Sequence, residues 1–147
     1  MKLDFVLDKW QVEVLAAEGN LCICSGRRAG KSQVVAIKSA CFAAEHARRG
    51  ILIISITEDQ AELMVEKILA FLEDNFPKLI CRGKKRPTKH LINLSNGSWI
   101  RTRAAGQAGS GIRGFGADVL VVDEAAFVPE AVWPAATPVL LTGGGQI

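Results

Sequence analysis

An α/β fold with a mainly parallel sheet flanked by helices is predicted by three features of this chain. Short apolar runs suited to buried strands alternate with longer stretches of helical period. The first such run leads directly into a glycine-bearing loop and then a helix. A later run, Val119-Leu120-Val121-Val122, ends in two adjacent carboxylates, Asp123 and Glu124. Strands without polar alternation belong to sheets covered on both faces, which is what parallel strands joined by helical crossovers produce.

The elements follow in order. Residues 8–18 carry Trp10, Val14 and Leu15 at helical spacing and stop at Gly19-Asn20, so a first helix is expected there. Residues 21–24, with Cys22 and Cys24 alternating with Leu21 and Ile23, read as the first central strand. A helix is expected over residues 31–48, closing at Arg48-Arg49-Gly50, where cations suit the C-terminal dipole and Gly50 the cap. Residues 51–56 are apolar but for Ser55 and predict a second strand. Thr57 then caps a helix running to Asn75, with Gln60 in its first turn and Leu63, Ile68, Leu69 and Leu72 as its stripe.

Phe76-Pro77 ends that helix. Residues 81–90 are basic and rich in turn formers, which predicts an exposed loop. Residues 91–94 and 98–103 flank Asn96-Gly97, a dipeptide favoured in tight hairpins, and so predict two antiparallel strands. Residues 104–116 hold too much glycine for regular structure and read as a mobile loop. After the strand that ends at Asp123, a short helix is expected over residues 129–136.

At 147 residues and 49% hydrophobic composition, the chain is long enough for one domain with a substantial core. Its net charge of +3 is too mild to argue for nucleic acid by itself, so that argument rests on local clusters such as residues 82–89. No stretch has the length and apolarity of a membrane span, and the first residues lack a signal-peptide core, so a soluble cytoplasmic protein is expected. Cys22, Cys24 and Cys41 read as small buried apolar residues. Neither zinc spacing nor a disulfide framework is legible in the four cysteines.

The loop Ser25-Gly26-Arg27-Arg28-Ala29-Gly30-Lys31-Ser32 carries the chemistry of a phosphate cradle. Gly30 brings backbone N–H groups close to an anion, and the helix that follows adds its positive N-terminal dipole. Lys31 is placed to reach terminal phosphate oxygens and the Ser32 hydroxyl to ligate Mg²⁺. The usual first glycine of the spacing is replaced by Ser25, with Gly26 one place later. At the carboxyl end of a buried parallel strand, Asp123 would hold Mg²⁺ and Glu124 would orient and deprotonate an attacking water. Loop and acids together imply a nucleoside triphosphatase of the P-loop class, ASCE type, with ATP or GTP and Mg²⁺ as ligands.

Further motifs narrow the reading. Trp10-Gln11 ahead of the loop, arginines inside it, Thr57-Glu58-Asp59-Gln60 after the second strand, and Ile112-Arg113-Gly114-Phe115-Gly116-Ala117-Asp118 leading into Val121-Val122-Asp123-Glu124-Ala125-Ala126-Phe127 together resemble the N-terminal ATPase domain of phage terminase large subunits. The resemblance covers nearly the whole chain. It implies an ATP-hydrolysing motor domain for viral DNA packaging, working with double-stranded DNA, a portal protein, a small terminase subunit and sister copies in a ring, in the host cytoplasm at the procapsid portal.

By position, the resemblance places Trp10 and Gln11 at the adenine, Trp10 by stacking and Gln11 by reading the base edge. Arg27 would act near the γ-phosphate, with Arg28 its exposed neighbour. Gly26, Arg27, Arg28, Ala29, Gly30, Lys31 and Ser32 would line the phosphates. Arg101, Arg103 and Arg113 are each open as a finger acting on a neighbouring subunit, with Arg113 favoured. The resemblance also implies that residues 1–147 end before the Ser/Thr-rich coupling strand, the linker and the nuclease domain, and that Thr142 is not the coupling motif. Were family strand positions kept, residues 21–24 and Val119–Val122 would not be direct neighbours, since the coupling strand lies between them. Two alternatives stay open: a helicase-like nucleic-acid-dependent ATPase module, and a nucleotide-binding remnant that does no hydrolysis.

Overall fold

Six consecutive buried residues, Gly50–Ser55, form the centre of the sheet, strand β1. The computed structural model describes residues 1–26, 28–107 and 116–140. Strand β1 is paired in parallel on both sides, with β3 (Trp99–Ala104) and with β4 (Val119–Val122). Strand β2 (Leu91–Asn93) runs antiparallel to β3 across the expected hairpin, giving the order β2-β3-β1-β4. A strand with neighbours on both edges and helices on both faces leaves little room for polar side chains, and in GILIIS the terminal Ser55 is the single residue that carries one.

Alternation divides β1 between two cores. Ile51 and Ile53 pack with α2 (Lys31–Glu45) and α3 (Glu58–Asn75), whose inward residues include Ile37, Ala40, Met64, Ile68 and Leu72. Leu52 and Ile54 face the opposite way, in a core with Leu120 of β4 and with Val132, Ala136 and Leu140 from the helical turns that follow it, including the one-turn helix α4 (Trp133–Ala136). The buried stripe of α3 is Ala61, Met64, Val65, Ile68, Phe71 and Leu72, whereas the expected stripe residue Leu63 is half exposed. Thr57 caps α3 as anticipated, accepting a hydrogen bond from the Gln60 main-chain N–H.

Two polar clamps hold these layers in place. At the entrance of the sheet, the Asp118 carboxylate accepts from the Gly50 N–H at 2.8 Å and from the Arg49 guanidinium at 2.6 Å, while the Asp118 N–H donates to the Gly50 carbonyl at 2.8 Å. Gly50 is obligatory here, because a Cβ would lie 2.2 Å from the Trp99 ring. In the second clamp, the Lys38 ammonium of α2 donates to the carbonyls of Val14, Leu15 and Ala17 at 2.7–3.1 Å. Those are carbonyls at the end of α1 (Lys9–Ala16), left without intrahelical partners, so one lysine closes one helix onto another.

Several expectations are corrected. Residues 21–24 are not a strand, and Cys22 and Cys24 are exposed rather than buried, with Cys41 half-buried. A strand exists only where a neighbour's N–H and C=O groups meet its own. Among the described residues β4 is paired on its β1 side alone, and residues 21–24 have no ladder beside them. Without a strand at residues 21–24, the expected spacing of two strands does not arise, and β4 pairs with β1.

Helix α2 stops at Glu45, short of the expected Arg48. Its free carbonyls at Ala43 and Ala44 are taken by the Asn96 amide, and the Ser98 hydroxyl donates to His46 O, so the hairpin turn supplies the cap assigned to Gly50. Gly50 instead opens β1, and Arg49 serves Asp118 rather than a helix dipole. The expected mobile loop falls largely on residues 108–115, outside the described residues.

The clamps have measurable consequences. Asp118→Ala strips the buried Gly50 N–H of its partner and is expected to lower unfolding free energy by about 1–3 kcal/mol in chemical denaturation, a cost typical of an orphaned buried donor. Lys38→Met keeps the aliphatic stem but leaves three carbonyls without their cation, and a loss of about 1–2 kcal/mol is expected. An unchanged denaturation midpoint in either variant would remove that clamp from the account.

Candidate functional site

Both chemistry-bearing segments lie at the carboxyl edge of the parallel strands, where open α/β sheets place their ligands. The loop enters α2 through Gly30, which adopts φ 84° and whose carbonyl accepts from the N–H groups of Gln33 and Val34. Helix α2 thus begins at Lys31, with its uncapped first turn facing the loop. The Lys31 ammonium folds back to donate to the carbonyls of Ser25 and Gly26, each at 2.8 Å. Ala29, Gly30, Lys31 and Ser32 are half-buried, whereas Gly26 and Arg28 are exposed, Arg28 in a left-handed conformation at φ 60°. Arg27 lies outside the described residues. The Ser25 hydroxyl, where glycine was expected, is buried with no partner among the described residues.

The acids arrive on β4. The Asp123 N–H donates to Ile54 O at 2.8 Å, continuing the ladder one residue past Val122. Burial pushes the Asp123 carboxyl up from its ordinary value, and the neighbouring Glu124 adds to that. The Glu124 main chain, Lys67 and Lys31 oppose the shift, so the loop lysine and the strand acid act on each other. Ser32 and Asp123 together offer hydroxyl and carboxylate oxygens, a donor set suited to a hard cation such as Mg²⁺.

Glu124 is exposed and left-handed, at φ 52° and ψ 44°. Its carboxylate accepts from the Gln60 amide at 3.4 Å. That amide also closes the capping box of α3, its oxygen accepting from the Thr57 N–H at 3.4 Å. Gln60 therefore links the start of α3 to the acid, a role that the sequence reading left unassigned. The signal was present as a capping residue three places beyond Thr57, immediately after a central strand.

Gln11 is buried. Its oxygen accepts from the Asp8 N–H at 2.9 Å, closing the capping box of α1, and its nitrogen lies so near the loop that a Cβ on Gly30 would sit 2.6 Å from it. Trp10 is half-buried and, with Val14 and Ala17, borders a groove of about 300 Å³ whose other wall is residues 21–24. The structure thus brings Gln11, the loop, Asp123 and Glu124 to one edge.

The arginines are distributed differently. Arg101 and Arg103 pair across β1 with Leu52 and Ile54, which puts them on the sheet face opposite α2. Desolvation, followed by repulsion from Arg103, lowers the Arg101 pKa. Arg113 lies outside the described residues. Arg82, Lys84, Lys85 and Arg86 are exposed around a short 3-10 turn, as expected for that loop. Lys89 is instead bound to Glu62 at 3.0 Å, and His90 to Glu58 at 3.0 Å, which pins the loop's end to α3. No described helix is long and apolar enough to cross a membrane.

Comparison with known proteins agrees with this fold. No curated sequence matches the chain. Among solved structures, the large terminase ATPase domain of Thermus phage P74-26 superposes with a TM-score of 0.76 at 22% identity, covering 97% of this chain and 63% of that one. The large terminase of a second, thermophilic bacteriophage superposes with a TM-score of 0.74 at 18% identity, covering 94% of this chain and 37% of that one. The same terminase in complex with ADP gives 0.73 at 19% identity, over 94% and 37% of the two chains. The chain therefore spans under two thirds of the length of these relatives. The family described as terminase large subunit, T4likevirus-type, N-terminal, matches residues 22–132, and the chain belongs to that family.

Proposed function

We propose that this chain binds and hydrolyses ATP as the motor domain of a viral DNA-packaging terminase. The observation that carries the proposal is the meeting of Lys31, at the start of α2, with Asp123 and Glu124, at the end of β4, on one edge of the sheet. The thermophilic bacteriophage terminase, of the same fold, is known in complexes with ADP and with ATP-gamma-S. Family membership favours this reading over the helicase-like alternative.

In the proposed reaction the α2 N-terminus and the main chain from Gly26 to Ser32 hold the phosphates, and Lys31 leaves its carbonyl partners to neutralise the terminal ones. Ser32 and Asp123 would hold Mg²⁺, which supplies neutralisation of charge on the β- and γ-phosphates. Glu124 orients the attacking water and accepts its proton, with Gln60 fixing the direction of the carboxylate. Gln11, lying between the α1 start and the loop, reads the adenine edge, and Trp10 stacks nearby. Arg27 and Arg113 stabilise charge in phosphoryl transfer, Arg113 from a sister subunit in a ring. Double-stranded DNA, a portal protein and a small terminase subunit complete the proposed assembly, at the procapsid portal in the host cytoplasm.

The roles of lysine and glutamate separate experimentally. Lys31→Ala is expected to abolish binding of a fluorescent ATP analogue, because the lysine acts on ground-state phosphates. Glu124→Gln is expected to bind as wild type while hydrolysis falls by about 100-fold or more, the usual weight of a general base. Retained affinity in the lysine variant would refute the site, and absent wild-type hydrolysis would favour the non-hydrolysing remnant.

The exposed basic turn is the proposed DNA contact. Neutralising Lys84, Lys85 and Arg86 together is expected to weaken binding to all sequences alike and to flatten the salt dependence by up to about three units of slope. An unchanged slope in filter-binding titrations across salt concentrations would assign the turn to solvent.

A further inference from the structure

The side chain of Ser55 is fully buried at the last position of β1, and its hydroxyl has no hydrogen-bond partner among the described residues. Strand alternation puts Ser55 on the same face as Ile51 and Ile53, the face covered by α2 and α3. The β1–β4 register pairs Ile54 with Val122, and the Asp123 N–H continues that ladder onto Ile54 O, so the residue that follows β4 on the side of Ser55 is Asp123. Val119 and Val121 pack on the α2 and α3 core, which gives Asp123 the same face by parity. Lys67 of α3 and Lys31 of α2 both act on its carboxylate, in keeping with that placement.

A buried hydroxyl without a partner lowers stability, and alanine would fill the same space without that penalty. Its position decides what it serves. Thr102 also buries an unpartnered hydroxyl, but it pairs with Ile53, a pleat further from the carboxyl edge and away from Asp123.

We infer that Ser55 is a positioning residue for magnesium-dependent nucleotide binding: its hydroxyl donates to the Asp123 carboxylate when that carboxylate serves as a metal ligand, fixing which oxygen faces the cation. The inference rests on the proposed nucleotide site and adds to it a residue from the central strand. Carboxylates that ligate metals are commonly held by such partners, and loss of one weakens metal affinity by about 10- to 100-fold. A serine retained only for its size would have no bearing on magnesium.

The test is a titration of the full chain with a non-hydrolysable ATP analogue, once with Mg²⁺ and once with EDTA, for wild type, Ser55→Ala, Thr102→Val and Asp123→Asn. Wild type and Thr102→Val are expected to gain affinity equally from Mg²⁺, and Asp123→Asn to lose most of that gain. Ser55→Ala is expected to bind as wild type in EDTA and to lose about tenfold or more of the Mg²⁺-dependent gain, with a nucleotide-free melting temperature equal to or above that of wild type. A full Mg²⁺ gain in Ser55→Ala, with the gain lost in Asp123→Asn, overturns the role of Ser55 and leaves the site standing. A wild type without any Mg²⁺ gain, or an Asp123→Asn that keeps it, overturns the metal assignment and the Ser55 inference together.

Discussion

The placement of the acids depends on where β4 starts. Asp118 grips Gly50 from both sides, main chain to main chain and carboxylate to N–H, and from that point the parallel register runs unbroken from Ile51–Val119 to Ile54–Val122. A slip of one residue would turn Asp123 from the α2 face to the opposite one, since side chains alternate strictly along a strand. The phosphate loop cannot compensate, because it is anchored to α2, and α2 is packed on one face of β1. A contact at the entrance of the sheet thereby determines the chemistry at its exit.

The second anchor acts between helices. Lys38 keeps α1 against α2, and the two capping boxes, Asp8 with Gln11 and Thr57 with Gln60, fix the starts of α1 and α3. In both boxes the glutamine that completes the cap also faces the site: Gln11 meets Gly30 and Gln60 meets Glu124. The same amide that satisfies a helix end is therefore oriented for a second task. Rotamer freedom at either glutamine is restricted before any ligand arrives, which is how precise polar geometry is obtained at low entropic cost on binding.

The parts legible in the sequence were those with local causes. The apolar run of β1, the Thr57 cap, the Asn96-Gly97 hairpin and the acid-terminated β4 are each dictated by neighbours within a few residues, and each is present. The features that escaped were set from afar. The length of α2 is decided by Asn96 and Ser98, about fifty residues downstream, and not by the arginines at its own end. Residues 21–24 have strand composition but no ladder partner, and composition cannot report a partner's presence. Within the site, the spacing of Gly30, Lys31 and Ser32 and the pair Asp123-Glu124 were readable as motifs, whereas Gln60 and Ser55 gained significance only when the register put them beside the acids.

The approach of Gln11 to Gly30 constrains how this sequence can drift. At φ 84° a glycine is ordinarily exchangeable for asparagine or aspartate, the residues that best tolerate a left-handed backbone. Here that route carries a cost, because a Cβ meets the tip of the Gln11 side chain, and moving that amide would release the Asp8 N–H that it caps. The two positions are thus coupled: a change at residue 30 displaces the Gln11 amide, and shortening residue 11 loosens the start of α1. Neither step is neutral on its own, so the loop glycine is coupled to a helix that lies well before it in sequence.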